Sequence, residues 1–209
     1  MADWTTIASL STAGGTLVLA IATFSSVRAS QRTARIAEQA LLVGQRPVLG
    51  PAREDDPAIT VSFADRHFVT VAGGGASVER VDGRFYFVLP LRNVGAGIAV
   101  LHSWRVVPER LRAGDPELDS FRRQTRDLYI PAGQLGFWQA AIREPDDDMR
   151  AAAEEAYSSD QPIVVDLLYG DHEGGQRAVS RFSIWPTGDG AWLPGVSRHF
   201  RLDGVNPRD

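Results

Sequence analysis

The N-terminal part of the chain contains an uncharged run of 24 residues, from Trp4 to Val27, which restricts the fold more than any other feature. As a helix it would span about 36 Å, slightly more than the roughly 30 Å hydrocarbon core of a bilayer. A secretory signal would need positive charge before the run, but Asp3 precedes it and the arginines follow. Many small and hydroxylated residues make the run only modestly apolar, so a buried helix of a soluble domain is the alternative. We predict a single transmembrane helix.

Basic residues follow the apolar run, and none precedes it. Positively charged residues are retained on the cytoplasmic side of a membrane. The bias therefore predicts a single-pass protein of the inner (cytoplasmic) membrane, with its N-terminus outside and residues 28–209 in the cytoplasm. The predicted membrane-anchor residues are Trp4, Leu17, Leu19, Ile21, Phe24, Arg28, Arg32 and Arg35.

Residues 28–44 contain good helix formers and no proline. Gly44 followed by Pro47 is typical of a helix end. We expect one helix over residues 1–45, comprising the anchor and a basic stalk, and a second domain over residues 46–209. The stalk is either solvated or bundled with other copies through residues 4–44. Bundling would make the protein a homo-oligomer or a subunit of a membrane-associated complex.

From Arg46 onwards, apolar and polar residues alternate with period 2, as in half-buried strands. Turn-rich segments separate these runs, which predicts a mainly β domain, an antiparallel β-sandwich of the Ig-like kind with one or two short helices. The expected strands are residues 58–64, 67–72, 84–93, 98–107, 135–142, 161–169, 178–185 and 192–202. The expected core aromatic residues are Phe63, Phe87, Trp104, Trp138, Phe182 and Trp185.

Three local features refine this prediction. Pro90 cannot donate to a β ladder, so its strand should be an edge strand or carry a bulge. Residues 146–157 predict a short helix with acidic residues in its first turn, where the helix dipole favours them. Residues 115–126 predict a second short helix or an irregular crossing.

The charge is distributed unevenly along the chain, and every one of the 22 basic residues is arginine. Residues 1–46 carry a net charge of +2, whereas residues 47–209 carry 18 arginines against 24 acidic residues, a net charge of −6. Because an acidic domain repels phosphate, we expect no nucleic-acid partner. The absence of cysteine excludes disulfides, thiolate catalysis and zinc–thiolate sites. The expected partners are the lipid bilayer and a protein.

The chain resembles a group of uncharacterised single-pass membrane-anchored β-domain proteins of high-GC Gram-positive (actinobacterial) bacteria. The resemblance implies an inner-membrane anchor followed by a small β-rich domain, and it implies no activity and no catalytic residues. The segments that carry it are ATFSSVRASQRTARIAEQALLVGQRPVL at 22–49, LRNVGAGIAVLHSW at 91–104, YGDHEGGQRAVSRFSIW at 169–185 and RHFRLDGVNPR at 198–208.

Two polar clusters coincide with turns. Asp171, His172 and Glu173 include metal-binding and acid–base groups, but aspartate and paired glycines are also what a hairpin turn requires. Asn93, Gly95 and Gly97 lack the third glycine and the following helix of a dinucleotide-binding motif. We interpret both clusters as turns, with Asn93 bonded to backbone groups.

The remaining histidines (His67, His102 and His199) and the acidic run Asp146–Asp148 stand apart from any known catalytic motif. We therefore predict no catalytic residue, no metal and no cofactor. The predicted function is a membrane-anchored, non-catalytic binding or scaffolding module, with a candidate partner surface at His172, Glu173 and Arg177. One alternative is an enzyme or metal-binding domain that uses His172 or His102 with nearby carboxylates. Another is the oligomeric stalk described above.

Overall fold

The computed structural model describes residues 4–173 and 176–202. The chain divides into two compact units, residues 1–44 and residues 45–209. The first unit consists of one long helix, and the second contains the β-strands of the described chain.

Helix α1 extends over 41 residues, Trp4–Gly44, so the expectation of one uninterrupted helix is confirmed there. It is about 60 Å long. Apolar side chains of its middle part point to solvent on all sides, since consecutive residues Leu17, Val18 and Leu19 are each more than 60% exposed. Trp4 belongs to the helix, but its side chain lies outside the described part of the structure.

Within residues 4–173 and 176–202, no helix combines the length and the apolar character expected of a segment that crosses a membrane.

The second unit is mainly β, and its paired strands are antiparallel. One nine-residue helix, α2 (Arg150–Ser158), and two 3-10 turns, Glu109–Leu111 and Leu118–Ser120, interrupt the strand sequence. The strands are β1 Leu49–Pro51, β2 Ile59–Ser62, β3 Phe68–Val71, β4 Ser77–Val81, β5 Arg84–Asn93, β6 Ala99–Val106, β7 Arg122–Ile130, β8 Leu135–Ile142, β9 Ile163–Gly170, β10 Ala178–Pro186 and β11 Trp192–Arg201.

Strand β5 organises the first sheet. On one side, strand β8 pairs with nearly the whole length of β5. On the other side, β4 pairs with the first half of β5 and β1 pairs with its last three residues. The second sheet has the order β11-β10-β9-β6-β7. Strands β2 and β3 form a separate hairpin.

A single apolar cluster contains buried residues of both large sheets. Phe87 and Trp138 come from the first sheet, and Trp104 and Phe182 from the second; the two tryptophan rings meet edge to face with centroids 5.5 Å apart. The other face of the first sheet is covered by the hairpin, because Val61 and Val69 pack with Tyr86 of β5. Strand β5 is therefore buried on both faces.

All eight expected strands are present, with shifts of a few residues at their ends. Strands β1 and β4 were missed because β1 has only three residues and β4 (SVERV) contains two charged residues. Strand β7 was predicted as a helix or irregular crossing. Its sequence, RRQTRDLYI, is charged because it lies at the edge of its sheet.

Two detailed predictions were wrong for identifiable reasons. Trp185 is 54% exposed, because strand alternation places Phe182 and Ile184 on the core face and residue 185 on the opposite face. The helix near residue 150 begins at Arg150 with no acidic residue in its first turn. The acidic residues lie before it, where Asp147 Oδ1 accepts from the Met149 backbone N–H at 3.0 Å.

The prediction that Pro90 marks an edge strand or a bulge was also wrong. Its strand is the central one of the first sheet. The Pro90 carbonyl accepts from the Ala52 backbone N–H at 3.0 Å, so the proline nitrogen faces the same side. That side is where pairing with β4 ends and pairing with β1 begins, and no ladder donor is required there.

Asn93 fixes the turn after β5 with all of its side-chain hydrogen-bonding groups. Its Oδ1 accepts from the backbone N–H groups of Val48 (3.2 Å) and Gly95 (3.0 Å). Its Nδ2 donates to the carbonyls of Gly97 (2.6 Å) and Ile130 (2.9 Å). This buried amide therefore joins three separate parts of the chain, in agreement with the expected structural turn.

The two glycines of this turn are needed because backbone lies directly against them. A Cβ on Gly97 would lie 1.8 Å from the Gln45 carbonyl oxygen, and one on Gly95 would lie 2.3 Å from the Arg46 carbonyl oxygen. Any side chain at either position would have to displace the segment that follows α1.

Replacing Asn93 with alanine should leave several buried backbone groups without partners. Each such group costs about 1–3 kcal/mol, so we expect Asn93→Ala to lower the free energy of unfolding by at least about 3 kcal/mol. Guanidinium denaturation followed by tryptophan fluorescence measures this loss. Gln134→Ala, at an exposed position in the neighbouring turn, should change stability little, and similar losses for the two variants would contradict the assigned role.

Candidate functional site

The predicted partner surface lies on the connection between β9 and β10. His172, Glu173 and Arg177 are exposed there, whereas Asp171 is buried. Asp171 Oδ1 accepts from the Glu173 backbone N–H at 3.2 Å, which is a turn-forming bond. Residues 174 and 175 of this connection lie outside the described residues.

His102 lies in β6 at a register shift between Leu101 and Ser103, where the strand carries a β-bulge. It is half-buried. Among residues 4–173 and 176–202, no three histidine and acidic side chains are grouped so that they could hold a metal ion.

Two other histidines have close partners that the sequence did not reveal. His67 Nε2 lies 2.8 Å from Glu79 Oε2, and its ring lies against Tyr86 with centroids 4.2 Å apart. The Tyr86 hydroxyl donates to Asp65 Oδ2 at 2.6 Å, and this bond is the main reason that the pKa of Asp65 falls to about 2. Strand pairing brings these groups together from β4, β5 and the β2–β3 turn, so their spacing in the sequence gave no signal.

His199 ends a hydrogen-bonded chain that begins in the core. The Leu49 backbone N–H donates to Tyr169 Oη (3.4 Å), Tyr169 Oη lies 2.9 Å from Ser180 Oγ, and Ser180 Oγ lies 2.7 Å from His199 Nδ1. The donor and acceptor roles along this chain depend on the His199 tautomer, and an unprotonated Nδ1 would accept from Ser180 Oγ. Desolvation of the imidazole lowers its pKa below the ordinary 6.5.

Ser180 does not have the surroundings of a catalytic serine. Its side chain is fully buried, and its hydroxyl contacts both Tyr169 and His199. An attacking hydroxyl needs an open path to its substrate, so this chain of groups serves the core and not a reaction.

The middle of the second sheet contains a buried ionic triad, Arg105, Asp166 and Arg181. Asp166 is fully buried and accepts from Arg105 Nε (3.0 Å) and from Arg181 Nε and Nη2 (2.7 and 2.8 Å). The three residues are cross-strand neighbours on β6, β9 and β10. The triad therefore carries a net charge of +1 within the protein.

The segment between β6 and β7 covers this triad. Arg181 Nη1 donates to the Gly114 carbonyl at 2.9 Å, and Arg105 Nη1 donates to Ser120 Oγ at 2.8 Å. The Arg105 guanidinium also lies over the Phe121 ring at 5.3 Å. Among the described residues only Arg105 Nη2 of the triad is buried without a partner, and the bonds to the covering segment come from inside the fold, so we assign the triad to structure.

A groove between β7 and β8, which we call the cationic groove, is the candidate site. It has a volume of about 200 Å³. Its lining contains three arginines and no carboxylate. The lining residues are Phe63, Ala64, Trp104, Arg122, Arg123, Gln124, Thr125, Gln139, Ala140, Ala141 and Arg143.

Internal ion pairs leave one arginine of the groove free for a ligand. Arg122 pairs with Asp147 at 2.6 Å, and Arg143 pairs with Asp65 at 3.3 Å. Arg123 is exposed and has no ion pair among the described residues. The groove thus keeps an uncompensated positive charge in a domain whose net charge is negative.

A larger groove of about 710 Å³ lies nearby, but its charges balance each other. Three arginines (Arg84, Arg143 and Arg150) face three acidic residues (Asp65, Asp82 and Glu144) in its lining. Because this lining has equal numbers of arginines and carboxylates, it presents no net charge to a ligand, and the smaller groove is the better candidate. The sequence signal for the cationic groove is the RRQTR segment of β7. This signal becomes informative only when the segment is known to be a strand.

Removing the central carboxylate should destabilise the fold severely. Asp166→Asn leaves two arginines buried without a counter-charge, which typically costs about 3–5 kcal/mol. Asp115→Asn is the matched control, because Asp115 is 85% exposed and lies 3.8 Å from Arg198; exposed pairs contribute about 0–1 kcal/mol. Equal midpoints of chemical denaturation for the two variants would contradict the structural assignment.

Stability should depend on pH through His199. Since its pKa is lower in the folded state than the unfolded value near 6.5, the unfolded state binds more protons, and stability falls as the pH drops below about 6.5. His199→Gln should reduce this slope, whereas Gln134→Ala, which removes no titratable group, should not. Denaturation midpoints measured between about pH 7 and 5 test this, and an unchanged slope in His199→Gln would refute it.

No protein-family model matches the chain, and no curated protein resembles it significantly. Neither comparison therefore supplies a family or an activity. Function has to be inferred from the side-chain geometry, in which the cationic groove combines a cavity with an exposed arginine that has no ion pair among the described residues.

Proposed function

We propose that the protein is a binding or scaffolding module held at the cytoplasmic face of the inner membrane by α1. In this proposal the module is an Ig-like β-sandwich formed by the two large sheets, which is supported by the apolar cluster that contains residues of both. The protein binds a protein partner and does not catalyse a reaction.

The cationic groove is the observation that carries the binding role. Arginine is favoured wherever planar, bidentate recognition of carboxylates is needed, and Arg123 is exposed at the groove. The lining includes no histidine and no carboxylate, the side chains that most often move protons in catalysis. Its volume of about 200 Å³ is also below the roughly 300–1,000 Å³ of typical small-molecule sites.

The proposed anchor is supported by the exposed apolar residues of α1. Leu17, Leu19, Ile21 and Phe24 are each more than 60% exposed. Exposed apolar surface of this kind is covered by lipid or by another protein. Arg28, Arg32 and Arg35 follow it, as expected where a helix leaves the anionic cytoplasmic leaflet. The resemblance to membrane-anchored proteins agrees with this arrangement.

A single charge in the apolar part of α1 should release the protein from membranes. We expect wild-type protein to float with membranes in a density gradient without detergent, and Leu19→Asp to shift toward the soluble fraction, because an aspartate at the centre of a membrane helix costs about 2.5–3.5 kcal/mol. Ile36→Asp is the matched control. The side chains of Leu19 and Ile36 are nearly equally exposed (68% and 67%). Ile36 follows Arg35 and lies outside the uncharged run, so a charge there should not release the protein.

Wild-type protein that remains soluble after detergent-free lysis would overturn the anchor. If that soluble protein were an oligomer, and Leu19→Asp made it monomeric, α1 would instead be the stalk of an assembly.

A further inference from the structure

The cationic groove lies between strands that belong to different sheets. Strand β7 is an edge of the second sheet, and β8 is an edge of the first, since β5 occupies its other side. Among the described strands, no ladder joins β7 to β8. The groove is therefore a gap between two sheet edges.

The backbone of β8 points hydrogen-bonding groups into this gap. The Pro90 carbonyl faces β1, so by strand alternation Tyr86 and Val88 face away from β8 as well. Their partners across the ladder, Ala141 and Gln139, together with Phe137 opposite Pro90, then direct their backbone groups away from β5. These three residues form an open edge on the groove side.

A side chain already occupies one position on this edge. Gln124 Nε2 donates to the Gln139 carbonyl at 3.0 Å, where the N–H group of an added strand would donate. The Gln139 Oε1 atom is buried and has no hydrogen-bond partner among the described residues. An unsatisfied buried acceptor is costly, and a peptide N–H would satisfy it, whereas a simple anion would not.

The charge of the groove selects the ligand further. Arg123 has no ion pair among the described residues. Arg122 and Arg143 contribute two more guanidinium groups to the lining, each paired with an aspartate. A bound segment with carboxylate side chains would complement this charge. The open backbone groups of β8 favour a peptide, and the uncompensated positive charge favours acidic side chains.

Resting on the proposed binding function, we propose that the cationic groove binds an extended acidic segment of a partner protein. The segment adds to the β8 edge through the backbone groups of Phe137 and Ala141 on either side of the Gln139 carbonyl, which Gln124 already occupies; this is recognition by strand addition. Its carboxylates contact Arg123, the arginine of the groove that has no ion pair among the described residues.

The test is fluorescence anisotropy of a labelled peptide of alternating glutamate and valine, titrated with the full-length protein in detergent. We expect Arg123→Glu to weaken binding by at least about tenfold, the value of one charge-assisted contact. Arg126→Glu is the matched control, because it changes the net charge equally on the same strand but lies outside the lining. Circular dichroism of both variants verifies that they are folded.

Two further probes separate the parts of the proposal. A peptide with proline at its central position cannot donate there and should bind more weakly; equal binding would overturn strand addition. Inorganic phosphate and unlabelled peptide are each used to displace the labelled peptide. If phosphate displaces it as strongly as the unlabelled peptide does, the groove is a simple anion site and the peptide assignment is overturned. Equal losses in Arg123→Glu and Arg126→Glu would show non-specific attraction and overturn the groove as the site.

The membrane flotation experiment is independent of these measurements. A protein that floats with membranes but does not bind the peptide would keep the anchored-module proposal and overturn this one. A protein that binds the peptide but stays soluble would overturn the membrane anchor and keep the peptide-binding groove.

Discussion

Asp166 accepts hydrogen bonds from two buried arginines, and the second sheet is built around that arrangement. The carboxylate belongs to β9 and its partners to β6 and β10, so the triad ties the three central strands together. The remaining guanidinium groups donate to Gly114 and Ser120 and so hold the segment between β6 and β7 against the sheet. Apolar residues at these positions would avoid the cost of removing three charges from water. They would offer no hydrogen bonds to fix the path of that segment.

The path of this segment positions the candidate site. It ends where β7 begins, and Arg122, the first residue of β7, lies over Trp104 with its guanidinium 5.3 Å from the ring centre. Trp104 in turn belongs to the core cluster between the sheets. The arginines of the groove are thus placed by contacts that lead back to the core and to the triad.

The sequence predicted the long helix from an uncharged run followed by helix formers without proline, and it predicted eight strands from β-forming runs bounded by turn residues. It could not predict the triad, since Arg105, Asp166 and Arg181 are far apart in the chain and charged residues in strands usually face solvent. The groove was missed for a related reason. The arginine-rich sequence of β7 lacks the apolar alternation of a strand, so it predicts an irregular segment unless the pairing with β6 is known. The histidines that the sequence singled out first, His102 and His172, are not those with close polar partners, because pairing across strands brings His67 to Glu79 and His199 to Ser180.

The contact between residues 45–48 and the turn at Asn93 has a mechanical consequence. Any tension that a tether exerts through α1 enters the β unit at Gln45. The first bonds to bear it are the pairing of the Arg46 carbonyl with the Ala96 N–H and of the Val48 N–H with Asn93 Oδ1. Behind them stands β1, whose three residues pair with the centre of the first sheet. Force applied at Gln45 would thus be passed to the strand β5, the best buried strand of the first sheet, before it reached the edge strands that border the groove.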